Sequence, residues 1–231
     1  IHRTIRCSSR SFNIYTQPLI TSLREAGPYI EQFRGKTFVI LLSDFDTTEA
    51  TLSKLVNDLV LLNALDIRLV LIQSTRYSIE SHVGAVEMQS LRHGDRRITT
   101  PELLSELQYL VSAARAKFSG QVMRTQYRTK SNSLLVNGNF VSARPLGIHD
   151  GVDHEFTGTV RKIDRDAIEH QLLSGAIVYL DHLAHSPAGQ LYNLQSEELA
   201  AAIAVQLSAE KLILFGEAPY CVNDIGDRLS E

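Results

Sequence analysis

This 231-residue sequence predicts an α/β domain built in three layers. Two continuous apolar runs, residues 37–42 (TFVILL) and 67–72 (IRLVLI), are rich in β-branched side chains and read as strands covered on both faces. Between them, residues 49–65 place Leu52, Leu55, Val56, Leu59 and Leu62 on one helical face behind the cap Thr48. A strand, helix, strand order with a crossover of that length makes the strands a parallel pair between helical layers.

The other elements follow in order. Residues 19–33 carry Leu19, Ile20, Leu23, Tyr29, Ile30 and Phe33 at helical spacing; Gly27-Pro28 inside that run predicts a break or two short helices. Thr100-Pro101-Glu102 is a helix start, followed by Leu103, Leu104, Leu107, Leu110, Val111 and Ala114. Residues 134–136 and 140–143 flank Asn137-Gly138-Asn139 and read as a hairpin. Asp164 caps a helix reaching Ser174 and ending at Gly175. Residues 176–180 form a strand, Ser196 opens a helix to Leu207 with Glu197 and Glu198 at its positive end, and residues 211–215 form the last clear strand.

Composition narrows the function classes. Hydrophobic content of 44% and charged content of 21% are those of an ordinary globular core. A net charge of −3 gives no overall reason to expect nucleic acid. No apolar run approaches the roughly 18–20 residues of a membrane span. Cys7 and Cys221 form no disulfide framework, and a reducing compartment is the simple reading. Residues 1–18 read as a basic tail: Arg3, Arg6 and Arg10 stand among serines, with no acid before Glu25. Such a start suits a mitochondrial targeting remnant and equally a disordered tail on a cytoplasmic protein. Residues 19–231 are then the folded domain.

Few motifs carry chemistry. Arg34-Gly35-Lys36-Thr37 ends like a phosphate loop, but position 30 is Ile and the strand follows the motif, so it is rejected. Asp181-His182-Leu183-Ala184-His185 sets two histidines after a strand, where α/β folds place ligands. It falls short of a zinc ligand set because His149, Asp150, Asp153 and His154 sit in a distant loop; the histidines are expected to stand in solvent, with no metal. Residues 115–133 hold Arg115, Lys117, Arg124, Tyr127, Arg128 and Lys130 and no acid. That segment reads as a solvated helix end and loop, and it is the candidate contact for a protein partner or, less readily, for nucleic acid. No nucleophile triad can be argued, so no catalytic residue and no cofactor are assigned.

The motifs Arg34-Gly35-Lys36-Thr37-Phe38-Val39-Ile40, Asn137-Gly138-Asn139-Phe140, Ala143-Arg144-Pro145-Leu146-Gly147, Asp150-Gly151-Val152-Asp153, Ser186-Pro187-Ala188-Gly189 and Asn193-Leu194-Gln195-Ser196-Glu197-Glu198 occur in this order. Together they resemble the amino-acid-kinase-like domain of the N-acetylglutamate synthases. The resemblance implies the amino acid kinase fold, a mostly parallel sheet between helices, here expected to stop before its final helix and strand. It carries over Asn193 and, on the arginine-pocket side, Tyr29 as vestigial ligand-binding positions. The lysine and paired glycines with which kinases of this fold open are replaced by Leu41, Leu42, Ser43 and Asp44. The second glycine turn reads Gln73-Ser74-Thr75-Arg76, the kinase aspartate position is Glu197, and the nucleotide-site Thr-Asp is Gly216-Glu217. The expectation is a catalytically degenerate domain acting as an accessory or scaffold subunit of a larger assembly. The alternative is the arginine-sensing part of an N-acetylglutamate synthase, partnered by an acetyltransferase chain.

Overall fold

The computed structural model describes residues 16–43, 48–83, 92–94 and 96–215. Cys7, Asp44, Gly216, Glu217 and Cys221 lie outside these residues.

Residues up to Arg34 form one unit, whose described element is helix α1 (Thr16–Phe33). It runs unbroken through Gly27-Pro28, against the expected break. Proline removes one donor to the carbonyl four residues earlier. That carbonyl belongs to Arg24, and Arg24 and Pro28 are both exposed, so water can take the lost bond.

The second unit begins at Gly35 and holds the sheet. Strands β1 (Thr37–Leu42) and β2 (Arg68–Gln73) pair in parallel, with Val39 opposite Val70 and Leu41 opposite Ile72. Helix α2 (Glu49–Ala64) makes the crossover, capped by Thr48 Oγ1 accepting from Thr51 N at 3.2 Å. After β2 come helix α3 (Arg76–Val83), a two-residue hairpin β3 (Arg92–His93) and β4 (Arg96–Arg97), and the long helix α4 (Pro101–Thr129). Strands β5 (Leu135–Val136), β6 (Val141–Pro145), β7 (Ile148–His149), β8 (Val152–Asp153) and β9 (Gly158–Ile163) lead to helix α5 (Arg165–Leu173). Strands β10 (Ile177–Asp181), β11 (Leu183–His185) and β12 (Leu191–Asn193), helix α6 (Ser196–Gln206) and strand β13 (Lys211–Phe215) follow.

The main sheet runs β13-β1-β2-β10-β5, every pair parallel. Alternation divides its side chains between two helical layers. Val39, Leu41, Val70, Ile72, Val178 and Leu180 pack with Ile168 and Leu172 of α5 and Leu199, Ala200 and Ile203 of α6. The opposite face carries Tyr179, whose ring lies 5.2 Å from that of Phe118 on α4. A second sheet, β12-β11-β6-β9, flanks this core. The three-layer α/β architecture read from the sequence is therefore present.

One further local expectation is overturned. The segments around Asn137-Gly138-Asn139 do not pair as a hairpin: β5 joins β10 in the main sheet, and β6 joins β9 and β11 in the second. Asn137 instead donates from Nδ2 to the Tyr179 carbonyl at 2.8 Å. The basic segment is the end of α4 and the loop after it, as read from the sequence: the helix runs to Thr129, Lys130 caps it at φ 56°, and Lys117, Arg124, Arg128 and Lys130 are exposed.

The Tyr179 hydroxyl is buried with no hydrogen-bond partner among the described residues, and burial pushes the phenol above its ordinary pKa. Tyr179→Phe keeps the ring contact and removes only the orphan group. It is expected to leave stability unchanged or to raise it by about 1 kcal/mol in urea unfolding, while Tyr179→Ala loses about 3–5 kcal/mol. A clear loss with Tyr179→Phe would mean the hydroxyl is satisfied.

Candidate functional site

Parallel strands deliver their carboxyl ends to one edge of the sheet, and at that edge the ends of β2 and β10 meet β12, the start of α6 and the β3–β4 hairpin. They enclose a cleft of about 630 Å³, counted out to its mouth.

Its floor is a buried polar chain. His182, 4% exposed, lies with Nε2 2.7 Å from Thr75 Oγ1 and Nδ1 2.9 Å from Asn193 Oδ1. Asn193 donates from Nδ2 to Thr99 Oγ1 at 3.0 Å, which leaves its carbonyl to accept. His182 Nδ1 therefore donates to Asn193 Oδ1, and Nε2 shares a hydrogen bond with the Thr75 hydroxyl. The chain runs on to Thr157, whose Oγ1 accepts from Thr99 N at 3.0 Å and donates to the Arg97 carbonyl at 2.6 Å.

The wall is cationic. Arg76, Arg92, Arg96 and Arg97 line the cleft, with Glu197 at its rim. Glu80 Oε1 sits 3.4 Å from Arg76 Nε, 3.2 Å from Arg92 and 3.4 Å from Arg97, while Arg96 pairs with Glu198. Among the described residues, the carboxylates of Glu80, Glu197 and Glu198 pair with guanidiniums of this wall. Burial first, then neighbouring Arg92, pushes Arg97 down to about 10, and Glu80 opposes the shift. The folded state holds that proton less firmly than the unfolded chain, so charged Arg97 opposes folding below about pH 10 and the cost is relieved above it. The arrangement suits an anionic group, which guanidiniums grip in two-pronged fashion.

The sequence-derived residues fall unevenly around this cleft. Asn193 lies in its floor. Tyr29 is exposed on α1. Arg115, Lys117, Arg124, Tyr127, Arg128 and Lys130 all belong to α4 or its cap, and none lines the cleft. The expectation of solvent-exposed histidines fails for His182 and also for His154, which is 1% exposed. Burial was set by strand crossings, which the local sequence does not carry. The arginines were missed, although their density across residues 92–97 (RHGDRR) was a signal. Among the described residues no cluster of His, Cys, Asp and Glu could hold a metal ion, and no helix is long and apolar enough to cross a membrane.

The profile of the amino acid kinase family matches residues 41–219. The chain belongs to the amino acid kinase family. Two curated amino-acid acetyltransferases are similar to it at 38% identity. The one from Escherichia coli (strain K12) aligns over 92% of this chain and 49% of its own length, and the one from Ectopseudomonas mendocina over 92% and 50%. The chain thus spans about half the length of these curated relatives. Among solved structures, N-acetylglutamate synthase from Neisseria gonorrhoeae with coenzyme A and N-acetyl-glutamate superposes with a TM-score of 0.80 at 34% identity, covering 90% of this chain and 47% of that one. The same enzyme with coenzyme A and L-arginine gives 0.79 at 33% identity, covering 90% and 50%. Carbamate kinase from Giardia lamblia, at 0.55 and 12% identity over 84% of this chain and 75% of its own, shares the fold.

Removing the central imidazole tests the floor. His182→Ala takes away the partner of the buried Thr75 hydroxyl and of Asn193 Oδ1, and is expected to cost about 1–3 kcal/mol in urea unfolding. A surface histidine changed in parallel, His185→Ala, is expected to cost under about 0.5 kcal/mol.

Proposed function

We propose that this chain is the ligand-sensing, kinase-like half of an N-acetylglutamate synthase of arginine biosynthesis, and that it transfers no phosphoryl group itself. The observation that carries the second part is the state of the strand-end turns. Ser43 N donates to the Phe215 carbonyl and Ser74 N to the Leu42 carbonyl, each at 2.9 Å. These amides are engaged within the sheet, and the β2 turn carries side chains in place of glycine, so backbone cannot close around a phosphate there. Thr75, Arg76 and Glu197 occupy the cleft instead.

The first part is supported by identity of 38% to amino-acid acetyltransferases across 92% of the chain. The gonococcal relative's complex with L-arginine supports that amino acid as the sensed ligand. The transfer chemistry then belongs to an acetyltransferase domain, in the same polypeptide or in a partner chain. A second reading, an accessory subunit in a larger mitochondrial assembly, draws on edge strand β13, where Leu212, Leu214 and Phe215 are exposed, and on the basic tail.

Calorimetric titration separates the readings. L-arginine is expected to bind saturably and L-lysine not, and incubation with ATP and N-acetylglutamate is expected to give no phosphorylated product. Phosphate transfer would refute the non-catalytic reading, and a flat L-arginine titration would favour the accessory subunit.

A further inference from the structure

The last turns of α4 and the first turns of α2 enclose a second cleft, about 730 Å³ counted out to its mouth, which shares no lining residue with the one at the sheet edge. Two arginines of the basic segment flank it, one helical turn apart on α4 and so on one face. Arg124 Nη1 donates to Glu49 Oε1, and Arg128 Nη2 donates to Asn57 Oδ1. Glu49, Ser53 and Asn57 follow one another at single-turn spacing on α2. The two bonds therefore draw both guanidiniums toward α2 and leave Ser53 between them.

The floor of this cleft carries an unmet polar demand. Gln121 lines it and is only 7% exposed, yet its amide has no hydrogen-bond partner among the described residues. Its neighbour Thr125 is satisfied, donating from Oγ1 to Asn57 Oδ1 at 3.0 Å. The Ser53 hydroxyl, across the cleft on α2, is without a partner as well. Buried polar groups are nearly always paired, and an unpaired amide destabilises a fold where leucine would fill the same space.

We propose that this cleft binds a small phosphate monoester, its phosphate held between α2 and α4 and its ester group toward the open mouth. One nitrogen of each guanidinium is engaged by a described residue, which leaves further N–H groups on both for a doubly charged oxyanion. Gln121 Nε2 from α4 and the Ser53 hydroxyl from α2 add neutral donors. A tetrahedral phosphate offers oxygens to both helices at once, whereas a carboxylate offers its two in one plane. The first turns of α2 contribute the positive end of that helix. Glu49 competes for Arg124, but with side chains 73% and 70% exposed the pair is of the weakly held kind, and an incoming dianion takes the arginine from it.

Nuclear magnetic resonance of the full chain, with inorganic phosphate as the probe, tests the site. The side-chain amide signal of Gln121, identified by its loss in Gln121→Leu, is expected to shift saturably with a Kd on the order of 1 mM or tighter. Glycerol 3-phosphate is expected to give the same shift, and acetate at matched ionic strength none. Arg128→Gln is expected to weaken phosphate about tenfold or more, while Arg76→Gln, in the sheet-edge cleft, leaves the Gln121 response unchanged. In Gln121→Leu the Ser53 backbone amide is expected to stop responding to phosphate, with the melting temperature of the free protein kept or raised. The absence of a saturable shift, an equal shift with acetate, or no shift with glycerol 3-phosphate would each overturn the proposal. So would a wild-type response in Arg128→Gln, a response abolished by Arg76→Gln, or a clear fall in the melting temperature of Gln121→Leu, which would mean that the amide is satisfied within the fold.

Discussion

The imidazole of His182 stands where three chain segments cross. It follows β10, reaches Thr75 at the end of β2 and holds Asn193 at the end of β12. Through Asn193 and Thr99 the same chain of bonds fixes Thr157 and the Arg97 carbonyl, and so positions the hairpin that carries the arginines. A buried polar chain of this kind is stable only when every member is satisfied, because one missing partner leaves another stranded away from water. The cleft's shape and its arginine-lined wall therefore depend on one buried ring.

That ring also explains what the edge can and cannot do. A parallel sheet gathers its strand ends in one place, which suits ligand binding in any α/β protein. At this edge Ser43 N and Ser74 N bond within the sheet, the β2 turn carries side chains where a phosphate cradle needs bare backbone, and guanidiniums line the cleft. On the proposed function, such a lining serves to recognise a charged small molecule, without phosphoryl transfer. Kinship with half of an amino-acid acetyltransferase is consistent with a domain that keeps a fold and its pocket while the chemistry proceeds elsewhere.

Features set by neighbours in sequence were legible before the structure. Thr48, Thr100 and Asp164 cap their helices because a cap needs only the next three residues. The apolar runs at β1 and β13 were read at their observed limits. What failed depended on distant partners. Asn137-Gly138-Asn139 has hairpin chemistry, but its flanking strands are claimed by β10 and β9. His182 looked like a loop histidine because nothing nearby in sequence announces Thr75, more than a hundred residues away. The second half of α4 was underread since small and polar residues blur its periodicity. Of the site, Asn193 was found through family resemblance, and the arginines became a group only when the hairpin folded over β2.

As proposed, this kinase-like fold serves an acetyltransferase. Mass spectrometry of the intact native particle, purified gently from its source, decides it. Every copy of this domain is expected to be joined to, or accompanied by, an acetyltransferase domain. A particle of many unrelated subunits with no acetyltransferase would contradict it and make the chain a structural component.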